Sequence, residues 1–293
     1  MDFKKGNMSL KRLLFILPAL LIYLVFMVYP MVRSLIISLH KWDGLSPEMD
    51  FIGIKNYIDF FKDPVSYTVL KNNLLLMIVL LIVPVILGLV LAVALNKKLP
   101  GRIVYRTIYY SPYVLPMVAV GLIWSWIYDP MFGALNSILK SVGLGQYVQG
   151  WLGQPSTAFP AILVTIIWRS VGMPMLLFLA GLQDISPQLY ESAEIDGANK
   201  FQQFIYITIP QLKQSFAIVI SLLIVGSLKQ AFGIVYAMTW GGPGRSTQIL
   251  SVWMYFNTFL YEKAGYGSAI AWIMTIIAML IIIPYIRIMT KNT

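Results

Sequence analysis

Two basic residues, Arg169 and Lys229, lie deep in apolar stretches of the chain. A cation at mid-bilayer depth costs about 2.5–3.5 kcal/mol on insertion scales, so such a residue faces a protein interior or a water-filled cavity. On a helix through residue 229, Gly226, Lys229, Gly233, Tyr236 and Trp240 fall on one face at steps of three and four. Thr165, Arg169 and Gly172 do the same on a helix through residue 169. The first stripe mixes small, cationic and aromatic groups. It suits a path for a hydroxylated solute, because aromatic faces stack on sugar rings and a lysine donates to hydroxyls. A packing role fits the same residues, with each cation held by a carboxylate or carbonyls and the glycines allowing close helix contact. The sequence leaves both roles open.

Other chemistry finds little support. A phosphate-binding loop needs glycines followed by Gly-Lys-Ser or Gly-Lys-Thr after a strand. The Gly-rich run Gly241 to Thr247 ends in Ser-Thr but holds no lysine, so it reads as a tight turn. Cysteine is absent and His40 is the only histidine, which leaves no thiolate site and no Ser/His/Asp set beyond one ring. No metal site and no catalytic residue are expected, and no cofactor in this chain.

The most polar long stretch runs from Glu191 to Pro210, with Ser186-Pro187 just before it. Ser186 can cap a helix and Pro187 fits its first position. Gly197 suits the left-handed turn that ends a helix. Asn199 can cap a second helix, on which Phe201, Phe204, Ile205 and Thr208 would share a face and which Pro210 would end. Two short helices around a glycine turn, between two apolar spans, are therefore predicted. An amphipathic helix resting on the membrane surface is the alternative for this stretch.

The stretch resembles the coupling loop of importer-type ABC transporter permeases. That family's pattern is Glu-Ala-Ala, three residues, Gly, nine residues, Ile, any residue, Leu, Pro. Glu191, Gly197, Ile207 and Pro210 fall on its spacing, and Ala193 matches its second alanine. Ser192 stands for the first alanine and Ile209 for leucine. The resemblance implies that Glu191, Ser192, Ala193, Asp196, Gly197, Ile207 and Pro210 serve coupling to an ATPase subunit, into whose cleft the loop inserts. Phe51 to Tyr57, Trp168-Arg169 to Asp184, and Thr239 to Thr247 resemble segments of the carbohydrate branch, which includes permeases of the maltose, glycerol-phosphate and multiple-sugar type.

The elements that must carry these residues are membrane helices. Hydrophobic residues make up 58% and charged residues 12% of 293, where a soluble domain holds about 25% charge. The net charge of +10 fits basic residues flanking spans on the cytoplasmic side better than nucleic-acid binding. Apolar runs predict six spans, at about 13–32, 72–95, 108–128, 157–182, 212–239 and 266–288. The first is too long for a signal-peptide core and reads as retained. Lys97, Lys98, Arg102 and Arg106 crowd one short loop, a strong inside signal, and place both termini inside. Trp124, Trp126 and Tyr128 near the far end of the third span suit an interfacial aromatic belt. The fold class expected is an all-α membrane protein, a polytopic bundle of six transmembrane helices with a cytoplasmic coupling loop at 186–210, forming one permease domain over 1–293.

The family further implies partners. They are a second, homologous permease in a heterodimer, a dimer of ATPase subunits carrying ATP and Mg, an extracytoplasmic solute-binding protein, and the bilayer of the inner (cytoplasmic) cell membrane. Nucleic acid is not among them. Another substrate branch, for amino acids or peptides, is the alternative within the family. A secondary transporter is the alternative outside it, and an ion-coupled carrier would hold carboxylates within its spans. None of the six predicted spans contains Asp or Glu.

Overall fold

In hydrocarbon no water satisfies backbone N–H and C=O groups, so long apolar runs must coil into helices. The computed structural model describes residues 10–97, 100–229 and 231–290, with side chains for 16–97, 100–228 and 231–287. Its elements in order are α1 (Ile16–Ser38), strands β1 (His40–Lys41) and β2 (Asp50–Phe51), α2 (Lys55–Lys62), α3 (Pro64–Asn96), α4 (Arg102–Val114), α5 (Met117–Ile127) and α6 (Ala134–Ser141). There follow α7 (Pro155–Gln183), α8 (Pro187–Ile195), α9 (Lys200–Gln203), α10 (Lys213–Lys229), α11 (Ala231–Thr239), α12 (Leu250–Tyr255) and α13 (Ala264–Thr290). Among the described residues five helical stretches are long and apolar enough to cross a membrane, namely α1, α3, α7, α10 with α11, and α13. The count is six if the bent pair α4–α5 is one span.

That pair covers the span expected over about 108–128, and it is bent. Its halves meet at 101°. Pro116 has no N–H and pushes Leu115 out of the helical region, and Leu115 is indeed extended (φ −63°, ψ 140°). Pro112, by contrast, sits inside α4 without ending it. The three aromatic residues near the far end of this pair differ in burial. Trp124 and Tyr128, four apart, share the inner face, and the Tyr128 hydroxyl donates to the Ala161 carbonyl at 3.1 Å. Only Trp126 of the three, 76% exposed, faces outward.

The described residues form two compact units. The first holds the chain up to Phe60 with Met254–Ile273. Here Phe51 to Tyr57 runs from β2 into α2. The β1–β2 pairing sets His40 opposite Phe51. Asn56, buried on α2, donates to the carbonyls of Ser38 and His40 at 2.8 and 2.9 Å, and the Tyr57 hydroxyl meets that of Ser38 at 2.7 Å. The Gly265 N–H donates to the Trp42 carbonyl at 3.0 Å. Of these, the Asn56 bond to Ser38 satisfies a carbonyl that the end of α1 leaves open.

The second unit runs from Phe61 to Trp253 and resumes at Met274. Asp63 caps α3 through the Val65 N–H at 2.9 Å, with Pro64 in the first helical position. Its core joins α3, α7 and α10 through Val85, Ala92, Phe178, Leu179, Leu182, Leu212, Val219 and Leu223. Small residues let the backbones meet: a Cβ on Gly88 would stand 2.6 Å from the Cβ of Pro174.

Candidate functional site

The 186–210 loop is built much as its residues dictate. Pro187 opens α8, although Ser186 contributes only its extended backbone and turns its hydroxyl to Gln188. Gly197 takes φ +79°, with no atom within 4 Å of where a Cβ would stand. Asn199 and Gln202 form a reciprocal capping box at the start of α9, at 2.9 and 2.8 Å. Lys200 pairs with Glu194 across the turn, and this hydrogen bond and charge hold the Glu194 carboxyl below its ordinary pKa.

Beyond Gln203 the helix departs from expectation. Phe204–Thr208 is a π-helical turn, followed by Ile209–Gln211 in α form. The wider turn rotates the expected face apart: Thr208 is buried and Phe204 half-buried, whereas Phe201 and Ile205 are exposed. Pro210 does not end the helix. A π-turn bonds each N–H five residues back, Ile209 to Phe204, so the lost N–H of Pro210 falls where the pattern is already interrupted. The chain bends two residues later, at Leu212.

The residues expected to serve coupling divide between two sides of this loop. Ile207, with Tyr190, packs against the α3–α7–α10 core, and the Tyr190 hydroxyl meets that of Thr208 at 2.9 Å. Those contacts moor the loop. Glu191, Ser192, Asp196, Gly197 and Pro210 are exposed and Ala193 is half-buried. Beside them lie Ile195, 87% exposed, and Phe201, 73% exposed. The loop therefore presents carboxylates interleaved with uncovered apolar side chains, which suits a protein partner better than water alone.

The residues weighed for a solute path are only partly brought together. Gly233 lies on the packed side of α11, where a Cβ would stand 2.9 Å from the Cβ of Met117 on α5. Tyr236 and Trp240 stack with ring centroids 4.7 Å apart, and Phe232 stacks on Tyr236 at 5.3 Å. Phe232 was missed because the stripe was traced through Gly233; the plain step of four, 232–236–240, carries the ladder. Lys229 ends α10, and its side chain lies outside the described residues. Trp240 has φ +53° and is 54% exposed, so an indole is displayed on a backbone form that L residues rarely adopt.

Arg169 is 8% exposed. Its guanidinium donates to the Tyr113 carbonyl at 3.0 Å and lies 5.1 Å from the Tyr113 ring centre. It lines a cavity of about 20 Å³ with Tyr113, Ser170, Met173, Leu222, Gly226 and others. That space admits one water and no sugar. No carboxylate pairs with it among the described residues. The Gly241–Thr247 turn follows α11, not a strand, and closes on itself through the Thr247 hydroxyl, which donates to the Gly242 carbonyl at 2.7 Å.

The family model described as "Binding-protein-dependent transport system inner membrane component" matches residues 84–291. A probable ABC transporter permease protein of Bacillus subtilis, YurN, is 38% identical over 91% of each chain. The permease SmoG of a sulfoquinovosyl glycerol transport system in Agrobacterium fabrum is 35% identical, covering 97% of this chain and 92% of its own. The crystal structure of a bacterial ABC transporter involved in the import of the acidic polysaccharide alginate superposes with a TM-score of 0.83, at 23% identity, over 95% of this chain and 94% of that one. The helical fold, the moored loop and these likenesses agree: the chain belongs to the binding-protein-dependent transport system inner membrane components, the multi-pass permease subunits of ABC transporters.

Proposed function

We propose that this permease forms the translocation path of an importer for a sugar or related carbohydrate, delivered by an external solute-binding protein. ATP is hydrolysed on a separate ATPase subunit, bound with Mg, as a dimer beneath a pair of homologous permeases. The chain sits in the inner (cytoplasmic) membrane with both termini and the 186–210 loop in the cytoplasm. Glu191, Ser192, Ala193, Asp196 and Gly197 meet the ATPase, while Ile207 and Pro210 seat and shape the loop.

The observation that carries this reading is the loop itself, moored to the core by Ile207 and Tyr190 yet holding Ile195 and Phe201 bare. For the solute class, the support is the Phe232–Tyr236–Trp240 ladder, whose faces suit sugar rings, with the glycoside named for the Agrobacterium relative. Tyr236 and Trp240 contact the solute in this reading, Lys229 donates to it, Gly233 draws α11 against α5, and Arg169 borders the path. A strain lacking this chain, grown on single carbon sources, tests the proposal. Selective loss of growth on one or a few saccharides, restored by the intact gene, supports it; unchanged growth on saccharides with lost growth on an amino acid or peptide overturns it.

A further inference from the structure

We infer that Arg169 is a positioning residue that holds the third span in its broken form, by capping the C-terminal end of the half-helix α4. A helix end leaves carbonyls without partners. At the end of α4 the next turn cannot supply them. Pro116 has no N–H, Leu115 is extended, and the chain leaves at 101°. At membrane depth an unbonded carbonyl is expensive, since no water reaches it. Tyr113 is the penultimate residue of α4, and its carbonyl receives the Arg169 guanidinium at 3.0 Å from α7.

The charge matters as well as the bond. The C-terminal end of a helix carries partial negative charge, and a cation there is favoured. The same cation lies over the Tyr113 ring. These two contacts explain how a buried guanidinium survives without a carboxylate partner among the described residues. A second arginine is used alike: Arg106 donates to the Leu95 carbonyl, in the last turn of α3, at 3.4 Å. Close backbone contact fixes the distance Arg169 must span, since a Cβ on Gly172 would stand 2.5 Å from the Tyr109 carbonyl. The Arg169 Nε has no protein partner, and the adjoining cavity of about 20 Å³ gives it room for one water.

The test uses the reconstituted transporter with cysteine-free partner subunits, because this chain has no cysteine of its own. Spin labels at Tyr105→Cys and Ile123→Cys, both exposed, report the distance between the arms α4 and α5. Arg169→Leu removes donor and charge, and should shift or broaden that distance and lower the maximal uptake rate about tenfold or more, the loss expected for a hydrogen bond to a charged group. The solute concentration giving half-maximal uptake should stay within about twofold, since a group that does not touch solute leaves binding alone. Arg169→Lys keeps a cation at the helix end and should hold the distance while restoring part of the rate. It is the variant measured if Arg169→Leu fails to insert, and Tyr113→Ala, which removes the ring but keeps the carbonyl, should then widen the distance spread in the Arg169→Lys chain more than in the parent. An unchanged distance distribution in Arg169→Leu, or in the Lys–Ala pair, overturns the inference. So does a raised half-maximal concentration at unchanged distance, which would make Arg169 a solute contact. The distance readout does not depend on which solute is carried.

Discussion

Substituting Gly197 separates backbone shape from side-chain contact in the 186–210 loop. The position has φ +79° with open space around it, so a new side chain meets no neighbour and only the backbone cost operates. That cost is about 1–2 kcal/mol for an ordinary L residue in the left-handed region, largest for a β-branched one and least for asparagine. At about 2 kcal/mol, Gly197→Val reduces loops in the native shape roughly 30-fold relative to other shapes. Gly197→Ala, at about 1 kcal/mol, does so roughly fivefold. Docking onto the ATPase recovers part of this, so stimulation of ATP hydrolysis by loaded binding protein should fall about 5–30-fold for valine and about two- to fivefold for alanine. Gly197→Asn should remain near the parent. All three should insert normally and bind the loaded binding protein outside. The assay is the reconstituted complex with each variant, read as stimulated over basal ATPase. Parent-like stimulation for valine would refute the claim that loop shape transmits the signal. Equal loss in valine and asparagine would refute the backbone mechanism and point to a surface that must stay bare.

Glu191→Ala should weaken retention of the ATPase on the membrane and lower uptake, by up to about 2–5 kcal/mol if its carboxylate meets a partly desolvated cation; retention equal to the parent removes Glu191 from the contact. Tyr236→Ala breaks both stacks of the ladder, each worth about 0.5–1.5 kcal/mol, and should raise the half-maximal solute concentration in uptake assays more than it lowers expression. An unchanged half-maximal concentration would remove the ladder from the path. A single cysteine at Lys200, 81% exposed, should resist an impermeant thiol reagent added to intact cells and react after lysis; reaction from outside reverses the topology.

What could be read from the chain follows from how local each feature is. Gly197, Asn199 and Pro187 act through their own backbone or within three residues, and the structure places them as their chemistry requires. Pro116 and Pro210 show the limit. Both remove an N–H, yet one stands where a span bends by 101° and the other lies within a short helical turn that directly follows a π-turn. Nothing in residues 204–208 announces that turn. Gly233 and Arg169 were ambiguous for another reason. A small residue and a buried cation serve a path or a packing contact equally well, and only the neighbours decide: Met117 for the glycine, the Tyr113 carbonyl for the arginine. Asn56 lay in a recognised motif, but its work on the Ser38 and His40 carbonyls depends on partners 16 and 18 residues away.

The central claim is that this chain is the permease of an ATP-driven carbohydrate importer. Proteoliposomes containing the paired permeases and the ATPase, with ATP enclosed and saccharide-loaded binding protein outside, test it most directly. Labelled saccharide should accumulate inside only when ATP, binding protein and this chain are all present, and accumulation should ignore an imposed proton or sodium gradient. Accumulation that follows an ion gradient and persists without ATP would contradict the account.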